Sequence, residues 1–185
     1  LAKKQDFRPP QLRIDKLIAT HKTISLAGLK WGLKPPPGRS PIWLQLPIAV
    51  LDSDGIPMPG LEIRVIWRPS EGEHSDGYGD AVKMNFVLLY QGVRIRALDT
   101  YPFDRHTNRC SIPGMDLLPT ILGPHLHFYV ESVVTEEPAK PVDSQLKHDD
   151  INGYWRYFCI ECNIDFPGDL PTPGAKIEPQ MRLEL

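Results

Sequence analysis

The feature that most constrains the fold is a pair of apolar runs, Lys83 to Tyr90 and Val93 to Leu98, separated only by Gln91-Gly92. Two residues leave no length for a crossover, so the runs are expected to pair antiparallel as a hairpin. Side chains alternate between the two faces of a strand. Strict alternation puts Arg94 and Arg96 on one face and Val93 and Ile95 on the other. Leu61 to Arg68 alternates in the same way, with Leu61, Ile63, Val65 and Trp67 set against Glu62, Arg64 and Arg68, and reads as a half-buried strand. Ile42 to Leu51 is another strand, whose Pro47 calls for an edge position or a bulge. Lys22 to Lys34, interrupted by Gly28 and Gly32, reads as a bent strand, because two glycines would cost a helix about 1 kcal/mol each. His125 to Val134 completes five or six strands, mostly neighbours in sequence, for which an antiparallel meander is the natural pairing.

The period changes after Asp149. Ile151, Tyr154, Trp155, Phe158, Cys159 and Cys162 fall on one helical stripe. Asp149 or Asp150 is placed to cap its N-terminus and Asn163 to follow its C-terminus. The fold class is therefore α+β: a mainly antiparallel twisted sheet of five to six strands with one C-terminal helix packed on its apolar face. At 185 residues a single domain over 1–185 suffices. Residues 1–20 form an arm or short helix, 21–134 the sheet, 149–163 the helix, and 165–185 a Pro/Gly-rich tail whose Lys176 to Leu185 suits a short edge strand.

Composition narrows the function classes. A formal net charge of −2 gives no basic footprint of the sort nucleic-acid binders carry. No run approaches the roughly 20 apolar residues that span a bilayer, so no membrane partner is expected. Three Cys without framework spacing favour a reducing, cytoplasmic setting. Phosphate-binding Gly loops, Gly-x-Ser-x-Gly and His-Glu-x-x-His are all missing from the sequence, which argues against nucleoside triphosphatases, α/β-type serine hydrolases and zincins.

Two motifs carry ligand-type residues. Cys159-x-x-Cys162 lies at the end of the helical stripe, beside Trp155 and Phe158, so both thiols are expected in the core as small hydrophobes. His74 sits in the polar stretch PSEGEHSDGYGD, a solvated loop. His125-x-His127 differs. Strand parity puts His125, His127, Tyr129 and Glu131 on one face and Leu126, Phe128 and Val130 on the other. With Arg94, Arg96, Asp99 and His106, they form a candidate site of His106, His125, His127, Arg94, Arg96, Asp99 and Tyr129. Imidazoles supply base and acid, arginine neutralises phosphate charge, and tyrosine donates a hydrogen bond or stacks. That is the toolkit of metal-independent RNA cleavage, and equally of phosphate or carboxylate binding. No cofactor is expected. A metal held by His125 and His127, with a third ligand from His106, Asp99 or Glu131, is the weaker alternative.

The series RIRALD, RHTN and GPHLHFYVE, followed by an amphipathic helix ending Cys162-Asn163-Ile164, resembles a group of uncharacterised small bacterial and phage-encoded proteins classed as a domain of unknown function. Its Arg-x-x-Asp, His and Pro-His-x-His order is also similar to that of TumE-like toxins of toxin–antitoxin loci. The resemblance covers roughly residues 86–164. It implies a toxin-like ribonuclease of a mobile element, with Arg96, Asp99, His106, His125 and His127 as site positions and RNA or another phosphate-containing molecule as substrate. The alternative is a non-catalytic interaction protein, with an antitoxin or a host or defence protein as its partner.

Overall fold

The computed structural model describes residues 7–34, 43–68, 82–134, 136–142, 145–147 and 149–173. His74 and the expected edge strand at 176–185 lie outside them. The chain enters through helix α1 (Gln11–Ala19), within the stretch read as an arm or short helix. Strands β3 (Leu44–Leu51), β4 (Pro57–Arg68), β5 (Lys83–Tyr90) and β6 (Val93–Asp99) then form a meander. Strand β9 (His125–Phe128) pairs with β6, and β10 (Ala139–Pro141) pairs with β9. All of these pairings are antiparallel.

The strand count exceeds the expected five or six because short strands occupy the edges. Lys22 to Lys34 is two strands, not one: β1 (Thr23–Ile24) pairs with the end of β3 and β2 (Gly32–Leu33) with its start. Gly28, at φ +72°, makes the turn between them. Pro47 falls in the stretch of β3 that neither short strand reaches, where a missing N–H removes no ladder hydrogen bond on that side. Strand β9 ends at Phe128, well short of the expected Val134. Its continuation turns away because Arg8 donates to the carbonyls of Val130, Glu131, Val133 and Val134 at 2.7–3.3 Å. Gln11 also binds both the Glu131 backbone and its carboxylate.

The hairpin turn follows its sequence. Gln91 at φ +49° and Gly92 at φ +81° are the two positive-φ positions that a twisted two-residue hairpin demands. Helix α2 (Ile151–Glu161) is capped by the Asp150 carboxylate accepting from the Gly153 N–H at 2.8 Å. A β-carbon on Gly153 would collide with that carboxylate and with Leu146, which is why glycine is tolerated inside this helix. Asn163 follows in the left-handed region at φ +52°.

One face of the sheet is the core. Ile63, Val65, Phe86, Leu88, Leu98 and Leu126 meet Tyr154, Trp155, Phe158, Cys159 and Cys162 of the helix and its end. The Phe86 ring lies 5.7 Å from both the Trp155 and the Phe158 rings. Burying each large side chain contributes roughly 1.5–3 kcal/mol. Lys22 is fully buried and closes the end of α1, donating to the carbonyls of Leu17 and Ile18 at 2.7 and 3.1 Å and to that of Thr20. Burial lowers its pKa to about 8. Among the described residues no helix is long and apolar enough to cross a membrane.

Candidate functional site

The opposite face is built by register. Asn85 pairs with Asp99, Asp99 with His125, and Ala97 with His127, and directly paired residues share a face. Leu126 and Leu98, opposite one another between these positions, point to the core. His125 and His127 therefore turn away from the helix, as alternation expects.

His106 arrives from a separate two-stranded ribbon, β7 (Arg105–Thr107) with β8 (Thr120–Leu122). Asn108 ties this ribbon to the sheet. Its amide nitrogen donates to the carbonyls of Leu118 and Ala139 at 2.8 and 2.9 Å, and its amide oxygen accepts from the Ala139 N–H at 2.9 Å. Gly123, at φ +85° with an added β-carbon only 3.3 Å from the Pro102 carbonyl, lets the chain re-enter the sheet at His125.

The three imidazoles meet. Ring centroids lie 5.1 Å apart for His106 and His125, 4.9 Å for His106 and His127, and 4.7 Å for His125 and His127. One nitrogen from each ring lies within 4.8 Å of the others, close enough for one ion to be shared. His125 and His127 are buried, His106 half-buried. Asp99 Oδ2 is 3.2 Å from His127 Nε2 and 3.6 Å from His125 Nε2. Its other oxygen accepts from the Asn85 amide.

Each imidazole has a fixed outer partner. His125 Nδ1 donates to the Gly123 carbonyl at 2.8 Å, His127 Nδ1 to the Glu137 carbonyl at 3.3 Å, and His106 Nε2 to Asn108 Oδ1 at 3.1 Å. Burial would raise the Asp99 carboxyl. The hydrogen bond and charge of His127, the Asn85 amide and the His125 charge outweigh burial and hold it below the usual carboxylate value. Burial lowers the His106 imidazole, and the neighbouring imidazoles add to this against the opposing pull of Asn108 and Asp99.

Two expected members of the site are elsewhere. Arg96 does not share the histidine face. The β5–β6 register shifts between Leu88, opposite Arg96, and Leu89, opposite Arg94, so that Ile95 is an extra residue. A bulge of one residue reverses parity on one side of it. Arg96 therefore falls with Leu98 and Phe128, its guanidinium 5.9 Å from the Phe128 ring, and borders a cavity of about 690 Å³ with Ile14 and Ile18. Arg94 stays on the histidine face by register, but its guanidinium is engaged by Glu137 at 2.6 Å. Tyr129 also leaves the cluster, because β9 has ended. Its hydroxyl donates to the Pro9 carbonyl at 2.7 Å, with Arg8 5.7 Å above its ring.

Sequence reasoning missed Asn85 and the Gly123 and Glu137 carbonyls, the groups that orient Asp99, His125 and His127. No family model, curated protein or solved structure matches the chain.

Proposed function

We propose that the chain is a hydrolytic enzyme acting on phosphodiesters, with RNA as its substrate class, in the manner of the toxin-like ribonucleases its sequence resembles. The observation that carries this reading is the convergence of His106, His125 and His127, with Asp99 against the last two. Each buried ionisable group carries a desolvation cost. Two buried and two half-buried ionisable groups on the side of the sheet away from the helix, each oriented by a hydrogen bond, fit proton transfer and nucleophile activation better than they fit stability. His125 and His127 are the groups closest to the carboxylate, and Asp99 orients them. Arg94 is the one arginine of the expected pair that remains on this face, available to an anionic substrate on exchange with Glu137.

Exposed apolar side chains favour a protein partner in addition. Phe103, Met115, Leu118 and Leu122 are 44–76% exposed on and around the ribbon that carries His106. Exposed apolar side chains around this ribbon suit a partner that covers the site, as an antitoxin would.

Expression of the intact chain in a bacterial host, with total RNA analysed over time, tests the enzymatic reading. RNA cleavage and growth arrest are expected, and both should be abolished by His127→Ala. Intact RNA and normal growth at high expression would overturn it.

A further inference from the structure

We propose that His106, His125 and His127 hold a single divalent transition-metal ion, with Asp99 Oδ2 as the fourth donor. This deepens the proposed function. It rests on that reading for what the ion does, not for whether the ion binds.

Carbonyl and carboxamide oxygens only accept hydrogen bonds. The Gly123 and Glu137 carbonyls thus each accept from Nδ1 of His125 and of His127. The Asn108 amide is held by two carbonyls and one N–H, so its oxygen accepts from His106 Nε2. The second nitrogen of each ring has no such outer partner. His127 Nε2 hydrogen-bonds Asp99 Oδ2 at 3.2 Å and His125 Nε2 lies 3.6 Å from the same oxygen, so a cation here takes the place of the His127 proton and keeps the attraction to the carboxylate.

Distances fit as well. Four donors at zinc–ligand distances of 2.0–2.1 Å lie roughly 3.3 Å from one another when tetrahedral. The carboxylate-to-imidazole separations, 3.2 and 3.6 Å, bracket that edge. The three imidazoles each bring a nitrogen within 4.8 Å of the others.

Metal-bound histidines commonly donate their far N–H to a carbonyl or carboxylate, and bound carboxylates are themselves hydrogen-bonded. All four donors here meet that description, Asp99 through Asn85. Three nitrogens and one oxygen select zinc or its first-row neighbours over magnesium or calcium.

The test is metal analysis of the full chain, purified without a polyhistidine tag, and titration of chelator-stripped protein with Zn²⁺ and with Co²⁺. About one equivalent of metal is expected, with visible Co²⁺ bands of a four- or five-coordinate nitrogen/oxygen site. His106→Gln, on the half-buried ribbon, should stay folded by circular dichroism and bind Zn²⁺ at least 10-fold more weakly. Failure of the wild type to bind Zn²⁺ or Co²⁺ below millimolar concentration, or unchanged binding by folded His106→Gln, would overturn the site. RNA cleavage by metal-stripped protein in excess chelator would sink the metal while sparing the ribonuclease. Stoichiometric metal without cleavage would do the reverse.

Discussion

Cys159-x-x-Cys162 and His125-x-His127 are the two ligand-like pairs of this chain, and they lie on opposite sides of one sheet. Both cysteines are fully buried, packed with Trp155 and Phe158. Burial pushes the Cys159 thiol up to about 12, and the Cys162 thiol higher still. Burial thus disfavours the thiolate that metal binding and redox chemistry use. The histidines are almost as buried, at 3% and 6% exposure, yet their neighbours are a third imidazole, a carboxylate and a row of carbonyls. Burial alone does not separate the two pairs. What separates them is that the histidines meet one another and a carboxylate, whereas the thiols pack among apolar side chains.

Four substitutions sharpen this contrast. Trp155→Ala, on the cysteine side, should cost about 3–5 kcal/mol of stability while folded protein keeps its Zn²⁺ affinity, measured by chemical denaturation and titration. Asn108→Ala frees the ribbon carrying His106 and should weaken Zn²⁺ binding about 10–100-fold. An unchanged affinity would break the link between ribbon position and site. Cys159→Ala removes one buried heavy atom and should cost about 1 kcal/mol, with Zn²⁺ stoichiometry unaltered. Loss of metal in that variant would erase the distinction between the two pairs. Arg96→Met should have the smallest effect, within about 1 kcal/mol in stability and without loss of RNA cleavage. The Arg96 Nε is buried without a hydrogen-bond partner, and replacing an unpaired buried polar group by a similar apolar volume is nearly neutral.

Much of the sheet was legible because alternation is a local signal. Leu61, Ile63 and Val65 alternate and are buried, and the Gln91-Gly92 turn sets Tyr90 opposite Val93. The helical stripe at 151–162 and its Asp150 cap were equally local. Register beyond the turn was not. Counting back from it puts Asn85 opposite Leu98, whereas the Ile95 bulge moves it opposite Asp99. That single residue hides Asn85 as the partner of Asp99 and sends Arg96 to the other face. No local pattern announces such a bulge, since Ile95 is as good a strand residue as its neighbours. The fate of Tyr129 was hidden for another reason. It depends on Arg8 and Pro9, about 120 residues away, and sequence periodicity does not report such contacts. His106, expected to arrive from a loop, lies on the short strand β7, and the means of its placement beside the pair, the Asn108 bracket, is tertiary.

Long-range ¹H–¹⁵N spectra of the imidazole rings, recorded on metal-stripped protein and again with one equivalent of Zn²⁺, read the cluster directly. Nδ1 of His125 and His127 and Nε2 of His106 should carry a proton in both states, and Zn²⁺ should shift the other nitrogen of all three rings together while removing the proton that His127 Nε2 shares with Asp99. Those nitrogens left unshifted, with the His127–Asp99 hydrogen bond intact, would contradict the reading of this face as a metal site.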